Sequence, residues 1–170
     1  MANADVHEPP ASTARGPIDR LTRAIALAGG LLALGIAGLV TASVLKRWLL
    51  QQPIPGDFEF VQMATAVSVF AFLPFCQARR GNIVVDTFTS SLPARFRNLI
   101  DALWDLVYAG FMALLTVGLC KGAADAAANG TTTMVLGLPI WPAIAVCAML
   151  SAALVAVTVA GAIRLARSRP

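Results

Sequence analysis

Four apolar runs, each long enough to cross a bilayer and each bounded by a gap carrying arginine or lysine, constrain this chain more than any other feature. The first, from Ala24 to Leu45, holds no charged residue over 22 positions. At about 1.5 Å per helical residue it spans about 33 Å, against about 30 Å for the hydrocarbon layer. Three more runs follow, near 58–77, 96–120 and 140–165. The expected fold is therefore an all-α membrane protein of four transmembrane helices, with little chain left over for a soluble domain.

Composition agrees. The chain is 58% hydrophobic and 13% charged, where a soluble domain carries about 25% charged residues interleaved along every element. The net charge of +4 could suggest a nucleic-acid partner, but the cations flank apolar segments. They act as topology determinants, so membrane lipids are expected as neighbours and nucleic acid is not. Residues 1–20 read as a disordered tail containing Pro9, Pro10 and Pro17, residues 21–165 as the membrane domain, and 166–170 as a short basic tail. The first run is too long for a signal-peptide core and is expected to remain as span one.

Breaks separate the spans. Pro53, Pro55 and Gly56 precede span two, and Pro74 near its far end predicts a kink. Pro93 marks a start for span three. Its apolar character passes Asp101 and Asp105 to reach Cys120; continued to Ala128, that helix is longer than the bilayer is thick and must tilt or project. Pro139 and Pro142 lead into span four.

Counting cations orients the spans. Arg15, Arg20, Arg23, Arg79, Arg80, Arg95, Arg97, Arg164, Arg167 and Arg169 fall on one side, ten in all, against three on the other, Lys46, Arg47 and Lys121. Both termini are expected in the cytoplasm. Asp57, Glu59 and Asp125 then face outward with those three cations, and Trp48, Trp104 and Trp141 serve as interface anchors.

Membrane helices need close backbone approach to associate. Span one offers a small-residue ridge at Gly29, Ala33, Ala37 and Thr41, and span four another at Ala148, Ala152, Ala156 and Ala160. Whether these face each other or a partner stays open. Asp101 and Asp105 share a helix face. They form either an intramembrane cation or proton site or a pair at the cytoplasmic headgroup level, and the length of span three favours the headgroups. Between spans two and three, Arg79 and Arg80 close a helix, Gly81 allows a turn, and Asp86 is placed to pair with either arginine. The loop NGTTTMVLGLPIWP is too apolar for a solvated linker. Met134 to Leu138 either packs into a neighbouring subunit or forms the shoulder of span four.

No enzyme reading survives. The only histidine is His7, in the tail, and Cys76, Cys120 and Cys147 are unpaired in spacing. Catalytic residues, metal ligands and cofactors are therefore not expected.

The stretch QARRGNIVVDTFTSSLPARFRNLIDALWDLVYAGF, Gln77 to Phe111, resembles the small permease subunit of tripartite ATP-independent periplasmic (TRAP) transporters, the DctQ type. TTTMVLGLPIWP, Thr131 to Pro142, is similar to that family's pattern before its last span. Many members carry histidine where this chain has Asn82. The resemblance implies a bacterial inner-membrane subunit that braces a large multi-span permease holding the sodium and substrate sites. A periplasmic solute-binding protein would deliver the substrate, typically an organic acid. By match to the motif, Arg79, Arg80, Gly81, Asp86 and Pro93 would fix a cytoplasmic elbow. The outer charges Lys46, Arg47, Asp57, Glu59, Lys121 and Asp125 would help dock the binding protein. The rival reading is a self-contained oligomeric channel or carrier with Asp101 and Asp105 on a shared path.

Overall fold

The computed structural model describes residues 17–79 and 94–167, with backbone alone at residues 17, 94–99, 101, 102 and 164–167. Four helices follow in order: α1 (Pro17–Leu50), α2 (Asp57–Ala78), α3 (Ala94–Ala128) and α4 (Trp141–Arg167). All four are long and apolar enough to cross a membrane. Helices are longer than the apolar runs because turns at headgroup depth tolerate charge. Thus α1 begins at Pro17, so residues 17–20, allotted above to the tail, are helical. Asp19 in its first turn and Arg47 in its last complement the helix dipole. Span three does continue to Ala128, 35 residues in one helix.

Each break has a local cause. Gln51 takes a left-handed backbone, φ 55°, and its side-chain amide donates to the Trp48 carbonyl at 3.3 Å, ending α1. Pro53 and Pro55 prevent its continuation. Helix α3 closes with Gly130 at φ 60°, the Thr131 N–H donating to the Ala126 carbonyl and the Gly130 N–H to that of Ala127. That is the Schellman pattern glycine permits.

Packing is a layer, not a closed bundle. Among the described residues the extended contacts join α1 to α2, α2 to α4, and α4 to α3. The order across the layer is therefore α1, α2, α4, α3. Helices successive in the chain run antiparallel, so the packed neighbours α2 and α4 run parallel. The Asp19–Arg79 ion pair, at 3.4 Å, joins the start of α1 to the end of α2. At that same end the Gln77 amide donates to Asp105 near the start of α3, at 3.1 Å. The 51–56 and 129–140 loops share the opposite end.

Small residues set the interfaces. Gly29 lies so close to α2 that a Cβ there would stand 2.7 Å from the Ala71 Cβ. Ala109, Ala123 and Ala126 of α3 and Cys147, Ser151 and Leu154 of α4 are buried, and the Thr116 and Ser151 hydroxyls join the two helices 2.8 Å apart. The two expected ridges are only touched: Gly29 and Ala148 are buried, while Ala37, Thr41, Ala152 and Ala156 are exposed. Residues spaced by four advance about 400° per step, so such a ridge drifts about 40° each time and leaves a straight contact line. The buried stripe of α4 instead runs Cys147, Ser151, Leu154, Thr158, Ala162, where one step of three among steps of four offsets the drift and keeps the line near the 3.6-residue turn.

Candidate functional site

The hairpin end concentrates the polar chemistry. Residues 131–140 fold back on themselves. The Thr133 N–H donates to the Leu138 carbonyl at 2.8 Å, the Leu138 N–H to Thr133 Oγ1 at 3.0 Å, and the Ile140 N–H to the Thr131 carbonyl at 3.3 Å. Thr132 and Pro139 form an isolated antiparallel bridge, and Gly137, at φ 65°, reverses the chain. The segment before span four is thus an ordered reversal, with Met134 fully exposed at its tip and Val135 largely so.

Glu59 pins this hairpin to α2. Its two carboxylate oxygens accept separately, Oε1 from the Val135 N–H and Oε2 from the Leu136 N–H at 3.1 Å. Only 7% of the residue is exposed. An acid one turn inside an apolar helix needs donors, and a hairpin tip with free N–H groups supplies them. Leu136 fixes the same joint sterically, its side chain occupying the space a Cβ on Gly56 would need. Gly56 also takes φ 73°, a second reason for glycine there.

Asp57 is likewise engaged within the chain. Its Oδ2 accepts from the Ser43 hydroxyl of α1 and its Oδ1 from the Phe58 N–H at 2.7 Å. Ser43, itself buried, also accepts the Ile54 N–H at 3.3 Å. Asp57 and Glu59, expected among the outward docking charges, are therefore occupied in holding loops. Of that set Arg47, Lys121 and Asp125 are exposed and Lys46 is half-buried.

At the opposite end Arg79 caps α2, its N–H donating to the Phe75 carbonyl at 3.1 Å, and its guanidinium lies 5.1 Å from the Phe75 ring centre. Among the described residues its ion-pair partner is Asp19. Arg80, Gly81, Asp86 and Pro93, the rest of the expected elbow, lie outside the described residues. Asp105 sits level with the last turn of α2 through Gln77, which favours the headgroup placement over a mid-membrane site. Trp48 and Trp141 lie at the hairpin end and Trp104 at the other, all exposed.

Beneath the hairpin a cleft of about 310 Å³ opens between α2, α3 and α4. It exists because α2 and α3 both lean on α4 while standing apart there. Its walls are apolar, including Met63, Ala66, Phe70, Leu119 and Ile144, and its outer rim carries Glu59, Gln62 and Thr133. The sequence reading missed the cleft, Gln62, and the Gly56–Leu136 contact. The one legible signal was Glu59, a carboxylate just inside an apolar run.

The family described as "Tripartite ATP-independent periplasmic transporters, DctQ component" matches residues 36–168. The match runs from the middle of α1 through α4 and takes in both quoted stretches. No curated protein and no solved structure matches significantly.

Proposed function

Because this chain belongs to the DctQ component family of tripartite ATP-independent periplasmic transporters, and so is the small membrane subunit of such a transporter, we propose that it braces a large permease subunit. The large subunit carries out sodium-driven uptake of an organic acid delivered by a periplasmic binding protein. The chain sits in the bacterial inner membrane with both termini in the cytoplasm, as the ten-to-three cation asymmetry favours.

One observation carries the bracing reading. The helices form an open layer whose outer members, α1 and α3, expose apolar residues such as Leu27, Leu31 and Leu34, and Leu106, Val107 and Leu114. Between Ala24 and Leu45, Phe60 and Ala78, and Trp141 and Ile163 no charged residue occurs. A cargo path needs polar groups facing a shared interior; a brace needs broad apolar faces and tight small-residue contacts.

Docking of the binding protein falls to the exposed charges Arg47, Lys121 and Asp125, whose mixed signs steer encounter without adding much affinity. Reversing all three is expected to slow uptake at low salt and to leave it unchanged at high salt.

Co-purification is the direct test. The tagged chain should bring down a large permease at equal stoichiometry, and purified alone in liposomes it should move no solute. Solute movement by the isolated chain would replace this reading with the self-contained carrier. Cysteine labelling from the two sides should place a residue after Gly130 outside and one after Arg167 inside.

A further inference from the structure

We infer that the cleft between α2, α3 and α4 is a phospholipid site that takes one acyl chain of the leaflet on the hairpin side. This inference is independent of the transporter reading and of which side of the membrane the hairpin faces.

Size comes first. The cleft follows α2 from Glu59 to Phe70, eleven residues or about 16 Å of helix. One leaflet of hydrocarbon is about 15 Å deep, half of ~30 Å. Spread over that length, about 310 Å³ leaves a cross-section of roughly 19 Å², or about 4.4 Å on a side. A cleft this long and narrow suits one extended hydrocarbon chain lying along α2, in van der Waals contact with the apolar walls. A whole helix, about 10 Å across, is wider than this cleft and would seat only its side chains there.

Polarity gives the direction. Met63, Ala66, Phe70 and Ile144 line the deep part, whereas Glu59, Gln62 and Thr133 gather at the outer rim. Glu59 is already held by the hairpin N–H groups. Among the described residues Gln62, itself exposed, has no hydrogen-bond partner, though it stands one turn inside the apolar segment. An amide at that depth is costly without an acceptor. A glycerol ester carbonyl, at the junction of acyl chain and headgroup, supplies one at the same level. The hairpin roofs the cleft with Thr133 and Ile140, so the chain enters sideways from the bilayer.

The test uses the full chain delipidated in detergent and titrated with dioleoylphosphatidylethanolamine, bound lipid being counted by native mass spectrometry. One lipid should be retained per chain. Ala66→Trp, which fills the cleft, should lower retention roughly tenfold, and Gln62→Leu should lower it severalfold. Ala152→Trp, on an exposed face of α4 outside the cleft, should leave it unchanged. A second readout avoids reliance on the Ala66 variant folding. With Cys76 and Cys120 changed to Ser, the cleft-lining Cys147 should react more slowly with a membrane-soluble maleimide when the lipid is present. Equal retention by all variants would mean only a loose lipid annulus. Loss of large-permease co-purification in Ala66→Trp with lipid retention unchanged would mean a protein occupant. Lipid-independent alkylation of Cys147 would mean an unoccupied cleft. Each of these overturns the inference.

Discussion

The carboxylate of Glu59, in the first turn of α2, accepts the backbone N–H of Val135, a residue 76 positions further along the chain. With Leu136 donating to its second oxygen, one acid holds the α3–α4 connection to the start of α2. Among the described residues the ordered hairpin, the roof of the cleft and the presentation of Met134 all depend on this joint.

Glu59→Gln offers one carbonyl oxygen where two carboxylate oxygens now accept. Amide hydrogen exchange at Val135 and Leu136 is expected to speed up by roughly an order of magnitude or more, while exchange in the middle of α4 stays unchanged. Exchange at 135 and 136 equal to that of the parent chain would show that the hairpin is held by its own turn.

Gly56→Ala must place a Cβ into the Leu136 side chain and hold it at φ 73°. The left-handed backbone alone costs about 1–2 kcal/mol outside glycine. Adding Leu136→Ala is expected to restore only the steric part. Chemical unfolding in detergent micelles reads both, and full rescue by the second substitution would contradict the backbone contribution.

Gly29→Ala sets two effects against each other. Helix propensity favours alanine by about 1 kcal/mol, but its Cβ would stand 2.7 Å from that of Ala71, and overpacking costs about 1–3 kcal/mol. A net loss of stability is expected. Ala71→Gly in the same chain should recover it, because the clash is between those two atoms. A double-mutant cycle with zero coupling would sink this account.

Thr116 and Ser151, 2.8 Å apart at the α3–α4 contact, should couple weakly. Hydrogen bonds between membrane helices average about 0.6 kcal/mol and reach about 1.7. The cycle built from Thr116→Val and Ser151→Ala is expected within that range. Ser151→Leu should do far more damage, since Ser151 has no exposed surface.

Several features were legible in the residues. The uncharged stretch from Ala24 to Leu45 announced a span, Pro53 with Pro55 announced a break, and the apolar run past Asp105 announced a third helix reaching Ala128. These follow from local rules: backbone groups in lipid must bond within their own helix, and proline has no N–H to offer. The faces were not legible. Alanine is common enough here that a four-residue ridge could be drawn on almost any side of α4. Nor did anything local point Arg79 toward Asp19, which it meets in the structure across two helices.

What the sequence alone determined is that there are four helices long and apolar enough to cross a membrane, and where the chain breaks between them, because burial in lipid is set by composition along one dimension. Only the tertiary structure decided that the helices lie in the order α1, α2, α4, α3, that Asp57 and Glu59 face inward, and that a cleft remains under the hairpin. Lipid is as apolar as leucine, so hydrophobicity cannot choose which faces meet. That choice falls to close packing and to a few hydrogen bonds between residues far apart in the chain.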